Sequence, residues 1–293
     1  MSTTIPMNAA TLTNAAALLN AAETGDLATV HALIAQNPRI AGPRTRDGNR
    51  NTALMLAASN GHLECVKALL LPTAGRWIDD RGMTALALAA LFGHAQVVEL
   101  LLPMSNPNHI NQDGETALMH AAREGQLECL KLLAGVSDHA LKNKRGYTAL
   151  VVAIEANKAA SVELLMVHTD LNVADENRTP LMWAVYFRHI ECVRVLRPLS
   201  DIGVTDDYFF NAVWHAGNVS LEVLDLLLPG SGNEPLRSYR LEQVASRLHA
   251  WGDHDRAEYI ETSYARWEQR QLRESCDLVV DPKQLQTTPS RRL

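Results

Sequence analysis

Along the first two-thirds of the chain, apolar residues return with a helical rhythm that is broken at regular intervals. Leu54, Ala57 and Ala58 fall on one helix face, Gly61 ends that helix, and Val66, Leu69 and Leu70 resume the spacing in a second helix starting near Leu63. The same double pattern comes back as Leu86, Ala89-Ala90, Gly93, Val97-Val98 and Leu100-Leu101-Leu102, and again as Leu118, Ala121-Ala122, Gly125, Leu130 and Leu132-Leu133. A threonine opens each copy: Thr52, Thr84, Thr116 and Thr148 stand 32 residues apart, and Thr179 follows after 31. Thr suits an N-cap, because its hydroxyl satisfies a free amide, and the Ala or Pro that follows suits the first helical position. Alanine is small enough for helices to approach closely, and Pro72, Pro103, Pro198 and Pro229 stop several of the second helices. Arg81-Gly82, Asp113-Gly114 and Arg145-Gly146 are turn signals for the connecting segments. No such unit can bury its apolar face alone, so a fixed period of this size predicts a solenoid of stacked units.

The repeated Thr-Ala-Leu triplets, the Gly-His pairs at Gly61-His62 and Gly93-His94, and the Glu-Cys-Val and Glu-Cys-Leu phrases resemble the ankyrin repeat. That family has the phrase T-P-L-H-x-A and a period of about 33 residues. The resemblance covers residues 14–228 and implies about seven repeats, the first and last degenerate. Asn14 to Ile34 lacks the Thr phrase but keeps Ala21-Ala22, Gly25-Asp26, Val30 and Leu33-Ile34, as a first unit with a modified outer helix would. Asp207 to Leu228 keeps Gly217-Asn218, Val223 and Leu226-Leu227-Leu228. Asn157-Lys158 and Arg188-His189 lose the turn glycine, and Met55, Ala87, Met119, Val151 and Met182 replace the His of the family phrase. The fold expected is an all-α ankyrin-repeat solenoid of helix-turn-helix units with short connecting fingers and a helical C-terminal cap. Residues 1–13 form an N-terminal extension, 229–276 the cap and 277–293 a flexible tail. In the cap, Leu241, Val244, Ala245 and Leu248 make one helical stripe and Ala257, Ile260, Tyr264 and Trp267 another. These stripes either hide the apolar end of the array or pair with a copy of the chain; two heptads fall short of a coiled coil, which favours the cap.

Charge and composition narrow the function. A net charge of −6, with basic residues scattered among acidic ones, provides no field for nucleic acid. Met1 to Ala22 lacks the basic start of a secretory signal, asparagines interrupt its apolar run, and no segment approaches a membrane span. A cytoplasmic protein is expected, with no membrane partner. Cys65, Cys129 and Cys192 occupy one slot in different repeats, too far apart to share a metal or a disulfide, and read as buried thiols; Cys276 has no assigned role. His62, His94 and His189 likewise recur at one position as local hydrogen-bonding residues, and Asp253-His254-Asp255 reads as a helix start after Gly252 rather than a metal or proton-relay site. Walker, metalloprotease and nucleophile-elbow motifs are absent from the sequence, so neither catalytic residues nor cofactors are expected.

The family resemblance implies where contacts with a partner lie: in the fingers before each Thr and at the ends of the first helices. The fingers carry Arg81, Met83, Asp113, Glu115, Lys144, Arg145, Tyr147, Glu176 and Arg178; the helix ends carry Leu91, Phe92, Arg123, Glu124, Glu155, Tyr186 and Phe187. Leu91-Phe92 and Tyr186-Phe187 are large apolar residues flanking a charged stretch, the combination that protein interfaces favour. The alternative is that Phe92 and Phe187 fold back onto their own helix pairs. The expected function is a non-enzymatic scaffold or adaptor that binds a protein through its concave surface. A regulatory subunit that inhibits or targets an enzyme is the alternative, and self-association would run through the C-terminal helices. The Thr-Ala-Leu-Met and Leu-Glu-Cys-Val phrases resemble large protist ankyrin families, which makes cytoskeletal or signalling attachment an expectation.

Overall fold

The computed structural model describes residues 9–42, 45–70, 77–173, 178–201, 204, 212, 223, 226–227, 238–250 and 252–279. They fall into two compact units, Met1–Leu196 and Arg197–Leu293. Among the described residues, the first unit holds six helix pairs: α1 (Ala9–Thr24) with α2 (Leu27–Gln36), α3 (Ala53–Ser59) with α4 (Leu63–Leu69), α5 (Ala85–Phe92) with α6 (Ala95–Leu101), α7 (Ala117–Glu124) with α8 (Leu127–Ala134), α9 (Ala149–Glu155) with α10 (Ala159–Leu165), and α11 (Pro180–Tyr186) with α12 (Ile190–Leu196). The inner helices α1, α3, α5, α7, α9 and α11 each pack on the next, and the outer helices α2, α4, α6, α8, α10 and α12 do the same. This is the solenoid that the period of the Thr phrase predicts. The first unit differs from the others mostly in its inner helix, since α1 starts at Ala9 and runs for 16 residues.

The local chemistry of each repeat is visible at its caps. Thr52, Thr84, Thr116 and Thr179 have extended backbones, and their hydroxyls accept the amides of Met55, Ala87, Met119 and Met182 at 3.2–3.3 Å. A backbone amide is what needs capping, so the side chain that replaces the family's His there is free to join the core. Met55, Ala87, Met119, Val151 and Met182 are all buried. The alanine pairs Ala57-Ala58, Ala89-Ala90 and Ala121-Ala122 are fully buried between neighbouring inner helices, where a larger side chain has no room.

The turn between inner and outer helix needs a left-handed residue. Gly61 has φ 73°, and a Cβ there would run into the His94 ring of the next repeat. That ring explains the recurring histidines. His62, His94 and His189 bring Nε2 to the carbonyl oxygens of Glu23, Ser59 and Glu155 at 3.0, 2.9 and 3.0 Å, so each donates to the repeat before its own. The expected local hydrogen bond is thus an inter-repeat one, and Gln126 donates to Leu91 O in the same way at 3.5 Å. Where glycine is lost, Asn157 and Arg188 take up the same backbone at φ 54° and 62°. Asn tolerates this region through its short polar side chain, whereas Arg bears a steric cost there.

The three repeat cysteines are buried free thiols on α4, α8 and α12, and burial pushes Cys129 and Cys192 up to about 11. In the second unit, α13 (Ser238–Ala250) packs against α14 (His254–Val279) across Gly252, with Val244, Ala245, Leu248, Ala257 and Ile260 buried. The helix therefore starts after Gly252, and Arg256 pairs with Asp253 at 2.9 Å. Most of the expected repeat at Asp207 to Leu228, Pro72, Pro229, the side chains of Leu241, Tyr264 and Trp267, and the chain after Val279 lie outside the described residues.

Candidate functional site

The fingers are built by a side chain that sequence reasoning missed. Asp47, Asp79, Asn111 and Asn143 stand 32 residues apart, and each Oδ1 accepts the amides two and four residues on at 2.7–3.0 Å. This Asx turn folds each finger on itself. Neighbouring fingers are then tied together, Asp80 N to Asn49 O at 3.2 Å, Gln112 N to Arg81 O at 2.9 Å and Lys144 N to Asp113 O at 2.9 Å. The signal was present in the sequence as an Asp or Asn five residues before Thr52, Thr84, Thr116 and Thr148, and it is lost before Thr179, where position 174 is Ala.

On this scaffold each of the four repeats from Thr84 onward places three side chains in register, buried or exposed: the residue before Thr, the fourth after it and the seventh after it. They are Met83, Leu88 and Leu91; then Glu115, His120 and Arg123; then Tyr147, Val152 and Glu155; then Arg178, Trp183 and Tyr186. The spacing of the last two places them one turn apart on the inner helix. The character of the row thus passes from apolar through ionic to aromatic and cationic.

The Glu115 group closes on itself. Arg123 forks onto the carboxylate, Nη1 donating to Oε2 at 2.6 Å and Nη2 to Oε1. Asn143 Nδ2 of the next finger donates to Oε1 at 3.5 Å, and His120 Nδ1 lies 3.6 Å from Oε2. The other ring nitrogen of His120 is 3.3 Å from Asn111 Nδ2. Burial alone would raise the Glu115 pKa, but the hydrogen bonds and charge of Arg123 hold it below the ordinary carboxylate value. Burial pushes the His120 imidazole below its ordinary value against the pull of Glu115.

The Arg178 group stays open. Its guanidinium lies 4.9 Å from the Trp183 ring and 4.3 Å from the Tyr186 ring. Trp183 packs edge-on to Tyr147 at 5.0 Å and to Tyr186 at 5.8 Å, and it stacks on Phe187 at 5.5 Å. Arg145 covers the Tyr147 ring at 4.6 Å and pairs with Glu155, which raises its pKa. Tyr186 remains 50% exposed.

The sequence-expected contact residues divide accordingly. Arg81, Phe92, Asp113, Glu124, Lys144, Arg145 and Tyr186 are exposed, and Leu91, Arg123, Tyr147, Glu155, Arg178 and Phe187 are half-buried. Met83 and Glu115 are only 2% and 7% exposed, so they leave the accessible set: Met83 joins the apolar core, and Glu115 is covered by its own partners. Glu176 lies outside the described residues. Phe187 folds back onto Trp183 and His189, whereas Phe92 is 53% exposed. Trp183 and His120 were not singled out from sequence, because a residue on the inner helix reads as core until the finger beside it is placed.

A family model of ankyrin repeats (three copies) matches residues 18–109, 72–139 and 118–206, which together span 18–206 of the 293 residues. The chain belongs to the ankyrin-repeat family. It is similar to the human ASB11 ankyrin repeat domain, at 24% identity and a TM-score of 0.59, over 72% of this chain and 95% of that one. It is also similar to the ankyrin repeat domain of Bcl-3, described as a unique member of the IkappaB protein family. That likeness has 25% identity and a TM-score of 0.62, over 72% of this chain and 97% of that one. No curated protein matches the chain. Ankyrin repeats generally mediate protein–protein interaction and are typically non-enzymatic modules. Among the described residues no helix is long and apolar enough to cross a membrane.

Proposed function

We propose that this protein is a non-enzymatic scaffold or adaptor that holds a protein partner on the concave face made by its fingers and inner helices. The observation that carries the reading is the accessible group of Tyr147, Arg178, Tyr186 and Phe187 packed around the buried Trp183, since Tyr and Arg are among the residues that dominate binding energy at protein interfaces. Phe92 extends the same row of helix ends toward the apolar repeats. The reading places the protein in the cytoplasm, attached to a larger assembly. Affinity capture from the source cell tests it, comparing wild type with a Phe92→Glu, Tyr186→Glu variant of unchanged helical circular dichroism. Loss of the specific partners supports the concave interface; retention moves the interface elsewhere on the chain. A regulatory subunit that inhibits or targets a partner enzyme is the second reading, and an activity assay on the captured partner with and without this chain separates the two.

A further inference from the structure

The Arg178 side chain is held in a way that specifies what it awaits. Its guanidinium carbon lies over two rings, Trp183 at 4.9 Å and Tyr186 at 4.3 Å, whose contacts restrain the side chain. The N–H donors of a guanidinium point outward in its plane. Among the described residues the other guanidiniums of this row have carboxylates, Arg81 with Asp79, Arg123 with Glu115 and Arg145 with Glu155. Arg178 alone of the four has rings and, among the described residues, no acid.

We propose that Arg178 is the receptor for a carboxylate side chain of the partner, an Asp or Glu in a peptide segment whose neighbouring apolar side chain lies on Tyr186 and Phe187. The inference rests on the concave-face reading and names the partner's chemistry. Three features support an acidic partner. The fork geometry matches a carboxylate through two parallel hydrogen bonds. Its rotamer is already restrained by the rings, which reduces the entropy lost on binding. A single guanidinium without an ion pair among the described residues balances one negative charge; a phosphoryl group, at about −1.5 to −2, requires more. Arg145 does not supply that second charge, because Glu155 already holds it.

The test is selection of random displayed peptides on the full chain, followed by affinities of the selected peptides for wild type and variants. Enrichment of Asp or Glu beside an apolar residue is expected. Arg178→Gln should weaken those peptides at least about tenfold. Arg178→Lys, which keeps the charge but not the fork, should weaken them by several-fold, with circular dichroism unchanged in both. Replacing the selected Glu or Asp by its amide should match the loss in Arg178→Gln, and the two changes together should cost little more than either. Peptides that lose affinity in Tyr186→Glu but show no acidic enrichment, or ignore Arg178→Gln, overturn the carboxylate receptor and leave the concave face standing. Peptides indifferent to both Tyr186→Glu and Phe92→Glu overturn the concave face itself. A selection that enriches nothing overturns the receptor, as does a phosphorylated version of a selected peptide that binds better than the acidic one by more than about tenfold.

Discussion

Two repeats on one face use an arginine in opposite ways. In the repeat of α7, Arg123 turns inward, forks onto Glu115 and is joined there by Asn143 and His120, so the group is consumed by the protein's own structure. In the repeat of α11, Arg178 sits at the position before Thr that Glu115 holds in the earlier repeat, and the inner helix offers it Trp183 and Tyr186 in place of His120 and Arg123. The backbone at the two places is the same solenoid unit. What differs is whether the cation finds an acid among the described residues, and that separates a repeat closed by its own ion pair from one whose guanidinium lies over rings alone.

Removing each arginine breaks the comparison most directly. Arg123→Ala leaves the Glu115 carboxylate buried with half its partners gone, and should lower stability in urea unfolding by about 2–3 kcal/mol. A loss below half a unit would mean that the closed repeat is not structural. Gly93→Ala comes next, because φ is 82° and a Cβ would overlap the Gln126 amide that ties two repeats together; about 2 kcal/mol of destabilisation is expected from thermal or urea melts.

Acidification should act on the closed repeat and spare the open one. The folded His120 binds its proton less readily than the unfolded chain does, so the unfolded state carries more protons. Stability from this group is therefore present above the ordinary His pKa of about 6.5 and is lost as pH falls below it, by at most about 1.4 kcal/mol for each pH unit until the lowered folded pKa is reached. Glu115 has the same sign in a more acidic window, losing its contribution below about 4.5 as the carboxylate protonates. Hydrogen exchange of α7 at pH 7.5 and 5.5 reads the first effect, and His120→Leu should remove it.

The smallest effects lie at the open repeat. Arg188→Gly should stabilise the chain by up to about 1 kcal/mol, since Arg at φ 62° carries a steric cost that glycine does not. Arg178→Gln should change the unfolding midpoint by the equivalent of about 0.5–1 kcal/mol, the worth of an exposed cation–π contact, while changing binding by far more. An unfolding loss as large as that of Arg123→Ala would remove the distinction between the two repeats.

Much of this was legible in the sequence. The 32-residue period, the Thr caps, the alanine pairs and the helix-breaking turns are local features whose physics does not depend on neighbours, and the helices α3 to α12 follow them. The finger and helix-end positions were also readable, because they are fixed by register within the repeat. The Asx column at Asp47, Asp79, Asn111 and Asn143 was equally periodic, but small polar residues before a turn look ordinary until their bonds to the finger amides are seen.

What the sequence by itself determined is the unit and its repetition: a cap, a short alanine-rich helix, a left-handed turn and a second apolar helix, each specified within a few residues. What only the tertiary structure decided is which polar side chains are used up. Glu115 is buried because Arg123, one inner-helix length away, and Asn143, one repeat away, come together around it. His62 and His94 reach back to carbonyls 39 and 35 residues earlier, and Trp183 meets Tyr147 of the preceding finger. Stacking brings these groups together because each repeat completes the surface of its neighbour. An arginine therefore becomes a structural tie or an open fork according to what the adjacent positions place beside it.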